Sequence, residues 1–265
     1  MYDFKNLEPH PAVSELPSNA MTFNGRTIEA QVPGYTTLNI VGRETISDII
    51  QTLGATPGQD GLPILGRSLP ARAIQVEYRL TAATAADLQR KFRALRAALD
   101  KPGSFSFADD PGVFYNGQLE EMGDVPPERL DIVGTYSILC GDPYKYTAPQ
   151  TSTGNPQTVA LPSPYQIHPD KIEATLTAAG TKVTIRNITT GRRIILNGSY
   201  NIGDKIVFAP SASNPLLRIT KNGAAAMAQL DYVTSDFGKF TVKNGDQVDV
   251  TPSASLTLTL RGRWK

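Results

Sequence analysis

Apolar and polar positions alternate at every second residue along much of the chain. In "RAIQVEYRL", Ile74, Val76, Tyr78 and Leu80 fall on one face and Gln75, Glu77 and Arg79 on the other, the period-two signature of a half-buried strand. "LDIVGTYSILC" repeats it with Leu130, Ile132, Tyr136, Ile138 and Cys140, and "SLTLTLRGRWK" places Leu256, Leu258 and Leu260 inward with threonines outward. Asn-Gly occurs at 24, 116, 197, 222 and 244; both residues accept positive φ, so each predicts a two-residue hairpin turn. Together these signals predict an antiparallel β protein.

The period changes once. Leu88, Phe92, Leu95 and Leu99 form a single stripe at helical spacing, predicting a helix over about 85–100. Thr84 serves as its N-cap with Asp87 three residues on, and Pro102-Gly103 follows its end. The opposite side carries Arg90, Lys91, Arg93 and Arg96, which reads either as a solvated face or as a contact for an acidic neighbour.

Two stretches break the pattern. "QTLGATPGQDGLPILGRSLP" is too rich in glycine and proline for a packed helix, yet holds Leu53, Leu62, Ile64 and Leu65, with Arg67 beside them. A long unstructured loop in a compact domain is often functional, so an apolar arm packed on a neighbouring subunit and a plain surface loop are the two readings. "TAPQTSTGNPQTVALPSPYQIHP" contains five prolines and reads as a crossing between domains with room for a short edge strand. Two domains are expected, 1–146 and 147–265, with Cys140 closing the last strand of the first as a small buried packing residue.

Charge and candidate chemistry narrow the function. Twenty-six Lys and Arg against 25 Asp and Glu give a net charge of +1, so the chain as a whole lacks the field of a nucleic-acid or anionic-membrane binder. Neither a charged leader followed by an apolar run nor a span of roughly 20 apolar residues is seen, so no signal peptide or membrane anchor is expected. One cysteine permits no internal disulfide and no cysteine-built metal site. His10 and His168 are the only histidines, and neither setting suggests a triad or dyad. Metalloprotease and phosphate-loop motifs are missing too. Carboxylates alone could serve glycoside hydrolysis, through Asp109 and Asp110 or Glu120 and Glu121, but each pair sits beside a turn where solvated acids are ordinary. Tyr200, Tyr232 and Trp264 could dock a partner or stack on a sugar, or simply pack in a core. The sequons at Asn187 and Asn197 matter only in a glycosylating pathway. No enzyme, cofactor or metal is expected.

The order of these features resembles the distal tail protein (Dit) family of long non-contractile-tailed phages. The matching residues begin with "GLPILGRSLPARAIQVEYRL", whose arm ends in the proline-residue-arginine-hydrophobic entry Pro70 to Ile74. They continue through "DLQRKFRALRAALDKPG" and "FSFADDPGVFYNGQLEEM", with Phe105, Phe107, Asp110, Pro111, Tyr115 and Gly117 in the family's order. Asp142, Pro143 and Tyr144 match its first-domain exit. "SYNIGDKIVFAP", "LLRITKNGAAAMAQLDYVTSDF" and "VKNGDQVDVTPSASLTLTLRGRWK" match the second half, so the resemblance spans residues 20 to 265.

The resemblance implies an N-terminal β-sandwich-like hub domain with one helix and an arm over about 32–70 that embraces the adjacent hub. A C-terminal galectin-like β-sandwich follows. It further implies a homohexameric ring, single or stacked, at the distal tail tip of a virion made in the bacterial cytoplasm. Its partners would be the tail tube protein, the tail-tip hub or tail-associated protein, the receptor-binding or baseplate protein and the tape measure protein, with DNA passing unbound through the lumen and no membrane contact. Leu53, Leu62, Ile64, Leu65 and Arg67 would line the arm contact; Arg90, Arg93 and Arg96, read from the residues alone, stay open between a solvated face and a charged interface. A carbohydrate-binding module for a bacterial cell-wall polymer is the alternative reading, although the His-x-Asn-x-Arg lectin pattern is missing.

Overall fold

The computed structural model describes residues 16–44, 46–52, 54, 60–123, 129–211 and 214–265. The chain is mainly β with one main helix, and it divides into two compact units that meet between Pro143 and Tyr144. The second unit starts this early because the Tyr144 ring packs against Tyr165 and under the Arg263 guanidinium.

The first unit contains β1 (Met21–Phe23), β2 (Arg26–Thr27), the single turn α1 (Ile28–Gln31), β3 (Tyr35–Val41), β4 (Ile49–Thr52), β5 (Ile64–Ser68), β6 (Arg72–Thr81), α2 (Ala85–Leu99), β7 (Gly103–Phe107), β8 (Val113–Met122) and β9 (Asp131–Cys140). Seven strands pair in the order β2-β1-β7-β8-β9-β6-β3. β6 and β9 run antiparallel over their full length, with Ile74 opposite Ile138 and Val76 opposite Tyr136. All four predicted inward residues of β6 are buried.

In β9 the alternation is interrupted. Leu130 lies before the strand and is exposed, and Gly134 takes the next inward register because a Cβ there would sit 2.7 Å from the Tyr78 hydroxyl. Leu88, Leu95 and Leu99 of α2 join the same core, and Phe92 is half-buried beside them; each buried leucine contributes about 1.5–3 kcal/mol of transfer free energy. The N-cap forms as expected: the Asp87 amide donates to Thr84 Oγ1 at 3.1 Å, and the Ala83 amide donates back to the Asp87 carboxylate at 3.2 Å.

Asn24-Gly25 and Asn222-Gly223 form the expected turns, with both residues of each at positive φ. Asn116-Gly117 and Asn197-Gly198 do not; they lie inside strands. At Gly117 the glycine serves close approach instead, since a Cβ would come within 2.8 Å of the Ile138 side chain and 2.9 Å of the Leu139 carbonyl.

The second unit contains β10 (Lys145–Thr147), β11 (Gln150–Thr153), β12 (Gln157–Thr158), β13 (Lys171–Leu176), β14 (Gly180–Asn187), β15 (Arg193–Tyr200), β16 (Lys205–Ser211), β17 (Asn214–Lys221), β18 (Ala224–Ala225), β19 (Gln247–Thr251), β20 (Ala254–Leu260) and β21 (Arg263–Trp264). One sheet runs β11-β20-β13-β16-β17-β18 and the other β12-β19-β14-β15, enclosing one apolar core. The proline-rich stretch is not a free crossing: it supplies edge strands to both sheets and buries Val159, Leu161 and Ile167. Proline suits such edge positions because it lacks the amide a central strand needs. The final strands close the second unit, β20 between β11 and β13 and β21 against β10.

Candidate functional site: the arm and its anchorage

The arm is shorter and more regular than the sequence suggests. Tyr35 and Thr37 are buried and β3 pairs with β6, so residues 32–41 belong to the body. The chain leaves the sheet after Val41. β4 and β5 then form an antiparallel ribbon, with Ile49 opposite Ser68 and Ile50 opposite Arg67, that pairs with no other described strand. Ile49, Ile50, Leu62, Ile64 and Leu65 are all exposed, the last two by 64% and 63%. A two-stranded ribbon is marginal alone in water, and clustered exposed apolar side chains mark an interaction surface. Arg67 pairs with Asp48 across the ribbon. Leu53 lies outside the described residues.

The ribbon's root is tied down. Arg43 makes a forked pair with Asp109 at 2.6 and 2.7 Å, and its guanidinium lies 4.9 Å above the Phe107 ring. This hydrogen bonding holds the Asp109 carboxyl below the usual carboxylate range. Arg72, almost fully buried, donates to the carbonyls of Gly42 and Arg43 at 3.0 and 2.7 Å. Beyond the arginine in the entry to β6, no local pattern in the chain signals this anchorage.

On α2, Arg90, Arg93 and Arg96 are exposed, whereas Lys91 turns inward to the Thr81 carbonyl at 2.7 Å. Arg90 is partly engaged by Asp87 at 2.6 Å, which leaves Arg93 and Arg96 as the outward charges. Sequence reasoning missed Leu38 and Val133, exposed on the outer face of β3 and β9 and lining an open groove of about 540 Å³ with Arg79 and Asp131. The signal was present in Val133, an apolar residue at an outward position of the alternation.

Candidate chemistry fares differently. Asp109 is locked to Arg43, its depressed pKa the opposite of what a glycosidase acid requires, and Glu120 accepts from Ser137 at 3.3 Å. Burial pushes the Cys140 thiol up to about 11, so it is a packing residue. His168 hydrogen-bonds through Nδ1 to the Phe240 carbonyl at 3.0 Å, and His10 lies outside the described residues. Among the described residues no cluster of three or more metal-ligating side chains occurs, and no helix is long and apolar enough to cross a membrane.

Tyr200 is corrected from docking residue to core residue. It is 1% exposed, its hydroxyl donates to Gln229 at 2.6 Å, and Lys221 lies over its ring. Inward alternation of β15 puts it there. Trp264 is half-buried, its ring against Gly262. Tyr232 alone of the three is exposed, at 67%, beside Val233 on a turn whose amides bond to Asp231. A sugar-stacking platform built from these three aromatics is therefore not assembled. Asn187 is fully buried, bonded to Asp246 and to the Thr241 carbonyl.

The chain thus combines a first unit bearing an exposed ribbon with a second unit built as a β-sandwich. The model of the phage tail protein RIFT-related domain matches residues 23–139, and that of the siphovirus-type tail component, C-terminal domain, matches residues 165–264. The crystal structure of the SPP1 Dit protein, described as a paradigm of hub adsorption apparatus in phages infecting Gram-positive bacteria, superposes with a TM-score of 0.76 at 18% identity, covering 91% of this chain and 98% of that one. A chain of the phage p2 baseplate in its activated conformation aligns with a TM-score of 0.49 at 8% identity over 86% of this chain and 90% of its own. No curated protein sequence gives a significant match. Together the two family models cover most of the chain, which belongs to the siphovirus distal tail protein (Dit) family and is a structural component of the phage tail.

Proposed function

We propose that this protein forms a hexameric ring at the distal end of a long non-contractile tail, each arm embracing the neighbouring hub. The ring joins the tail tube to the tail-tip and receptor-binding proteins and leaves a channel for the tape measure protein and DNA. Its role is mechanical and positional, without catalysis. The observation that carries the reading is the ordered ribbon of Ile49, Ile50, Ile64 and Leu65, whose side chains are exposed in the single chain; a second copy is the partner that a self-assembling hub supplies.

Charge supports the channel. Residues 1–143 carry twelve Lys and Arg against eighteen Asp and Glu, so a lumen built from first units repels phosphate rather than binding it. Five of those twelve cations lie on or just after α2, which makes Arg93 and Arg96 a local basic face in an acidic unit and suits them to an acidic neighbour.

Light scattering of the purified protein, followed by negative-stain imaging of the same fraction, tests the ring. A closed sixfold particle is expected. A monomer at every accessible concentration, together with failure to assemble on purified tail tubes, would overturn the reading.

A further inference from the structure

Arg72 opens β6 at the point where the arm returns to the body, and its side chain is only 2% exposed. Nε donates to the Pro143 carbonyl at 2.9 Å, and Nη1 to the carbonyls of Gly42 and Arg43 at 3.0 and 2.7 Å. Among the described residues Nη2 is buried without a hydrogen-bond partner. A buried guanidinium is strongly unfavourable unless compensated, and here the compensation comes from three main-chain dipoles rather than from a carboxylate.

Those dipoles belong to two different places. Gly42 and Arg43 are the first residues of the arm beyond β3, and Pro143 is the last residue of the first unit. Arg72 itself is the arm's return. One planar fork therefore joins the departure of the arm, its return and the exit of the unit, which are 30 and 71 residues away from it along the chain. Filling this space would need only an apolar side chain, and supplying charge would need only lysine. Three carbonyls held by two nitrogens of one rigid plane need arginine.

We infer that Arg72 couples the root of the arm to the exit of the first unit, so that displacement of either is felt at the other. If the Gly42 and Arg43 carbonyls move when the arm is loaded, the guanidinium must follow or lose its compensation, and the Pro143 carbonyl loses its donor. Arg72 is thus a positioning residue. The coupling exists within a single chain; its use in assembly rests on the arm being the contact between copies.

A second handle on the arm root is independent of Arg72. Gly42 has φ +95°, and a Cβ there would collide with the Ala73 carbonyl oxygen, so Gly42→Ala shifts the root while leaving the arginine in place.

Limited trypsin digestion of the full-length protein, followed by mass spectrometry, reads both ends. Trypsin cleaves after Arg43 at the arm root and after Lys145, two residues beyond Pro143; cleavage after Lys182 in β14 is the control. Arg72→Lys keeps the charge and loses the fork. It is expected to accelerate cleavage after Arg43 and after Lys145 together, each about tenfold, with the Lys182 rate unchanged. Gly42→Ala should accelerate cleavage after Lys145 in the otherwise native chain and add nothing in the Arg72→Lys background, the non-additivity that defines coupling. Native rates in Arg72→Lys, acceleration at only one of the two sites, an equal rise after Lys182, or additive effects in the double variant would each overturn the inference. A protein that stays monomeric yet shows the paired acceleration would keep the coupling and lose the ring.

Discussion

The two units differ in what they leave unfinished. The first has an excess of acidic residues, twelve Lys and Arg against eighteen Asp and Glu, while the second has fourteen against seven. The near-neutral whole is a cancellation. The first unit exposes a ribbon of branched aliphatics and buries a guanidinium. The second encloses its apolar core between two sheets, and its most exposed described apolar side chains are Ile202, alone on one turn, and Val233 with Tyr232 on another. A unit that exposes clustered aliphatics on ordered strands is shaped for a partner. A unit that buries them between sheets is complete by itself, and its basic excess suits acidic partners reached through long-range attraction.

The largest effect separating the units should come from the ribbon. Ile64→Asp with Leu65→Asp is expected to abolish ring formation in light scattering while leaving the thermal melt of the chain within a degree or two, because neither side chain has a covered site to lose. The reverse pattern is expected in the second unit: Leu258→Ala, at a fully buried position, should cost about 2–5 kcal/mol in denaturant unfolding without altering the mass of the fraction that stays folded. An equal effect of both substitutions on stability would erase the contrast.

Smaller effects follow from charge. Arg93→Glu with Arg96→Glu should weaken assembly severalfold in sedimentation and leave the melt unchanged; normal assembly of this variant would return α2 to a solvated face. Asp204 gives a pH test confined to the second unit. It caps the turn after β15, accepting from the Asn201 amide at 2.8 Å, from Asn222 at 2.7 Å and from Lys221 at 2.9 Å. These bonds lower its pKa to about 2. A folded-state value below the unfolded one means that stability is present above about pH 4 and is lost as pH falls toward 2. Asp204→Asn should flatten the melting temperature over that window, and an unchanged acid limb would show that the bonds contribute nothing to it.

The fold was legible where one side chain decides its own environment. β6, β20 and α2 follow their apolar periods, and Thr84 caps α2 as its position indicates. The turn chemistry was legible only in part. Asn-Gly accepts positive φ wherever it stands, but Gly117 is needed because β9 passes close to β8, a fact of the partner strand. The proline-rich stretch misled for a related reason, since a proline-flanked segment makes an acceptable edge strand only once a sheet edge is available to it.

The candidate site divides along the same line. Leu62, Ile64 and Leu65 stood out as apolar residues in a stretch that could not be a core element, and their exposure follows from that. Tyr200 misled because an aromatic reads alike in a core and on a surface until its strand is paired. Arg43, Arg72 and Asp109 were invisible as a group.

The sequence by itself determined the β class, the single amphipathic helix, the inward faces of the long strands and the order of family features, because each rests on spacing within a few residues. Only the tertiary structure decided where the arm begins, which prolines border strands, and that Arg72 gathers carbonyls 29 to 71 residues away. Those outcomes depend on distances closed by folding, which no local period encodes.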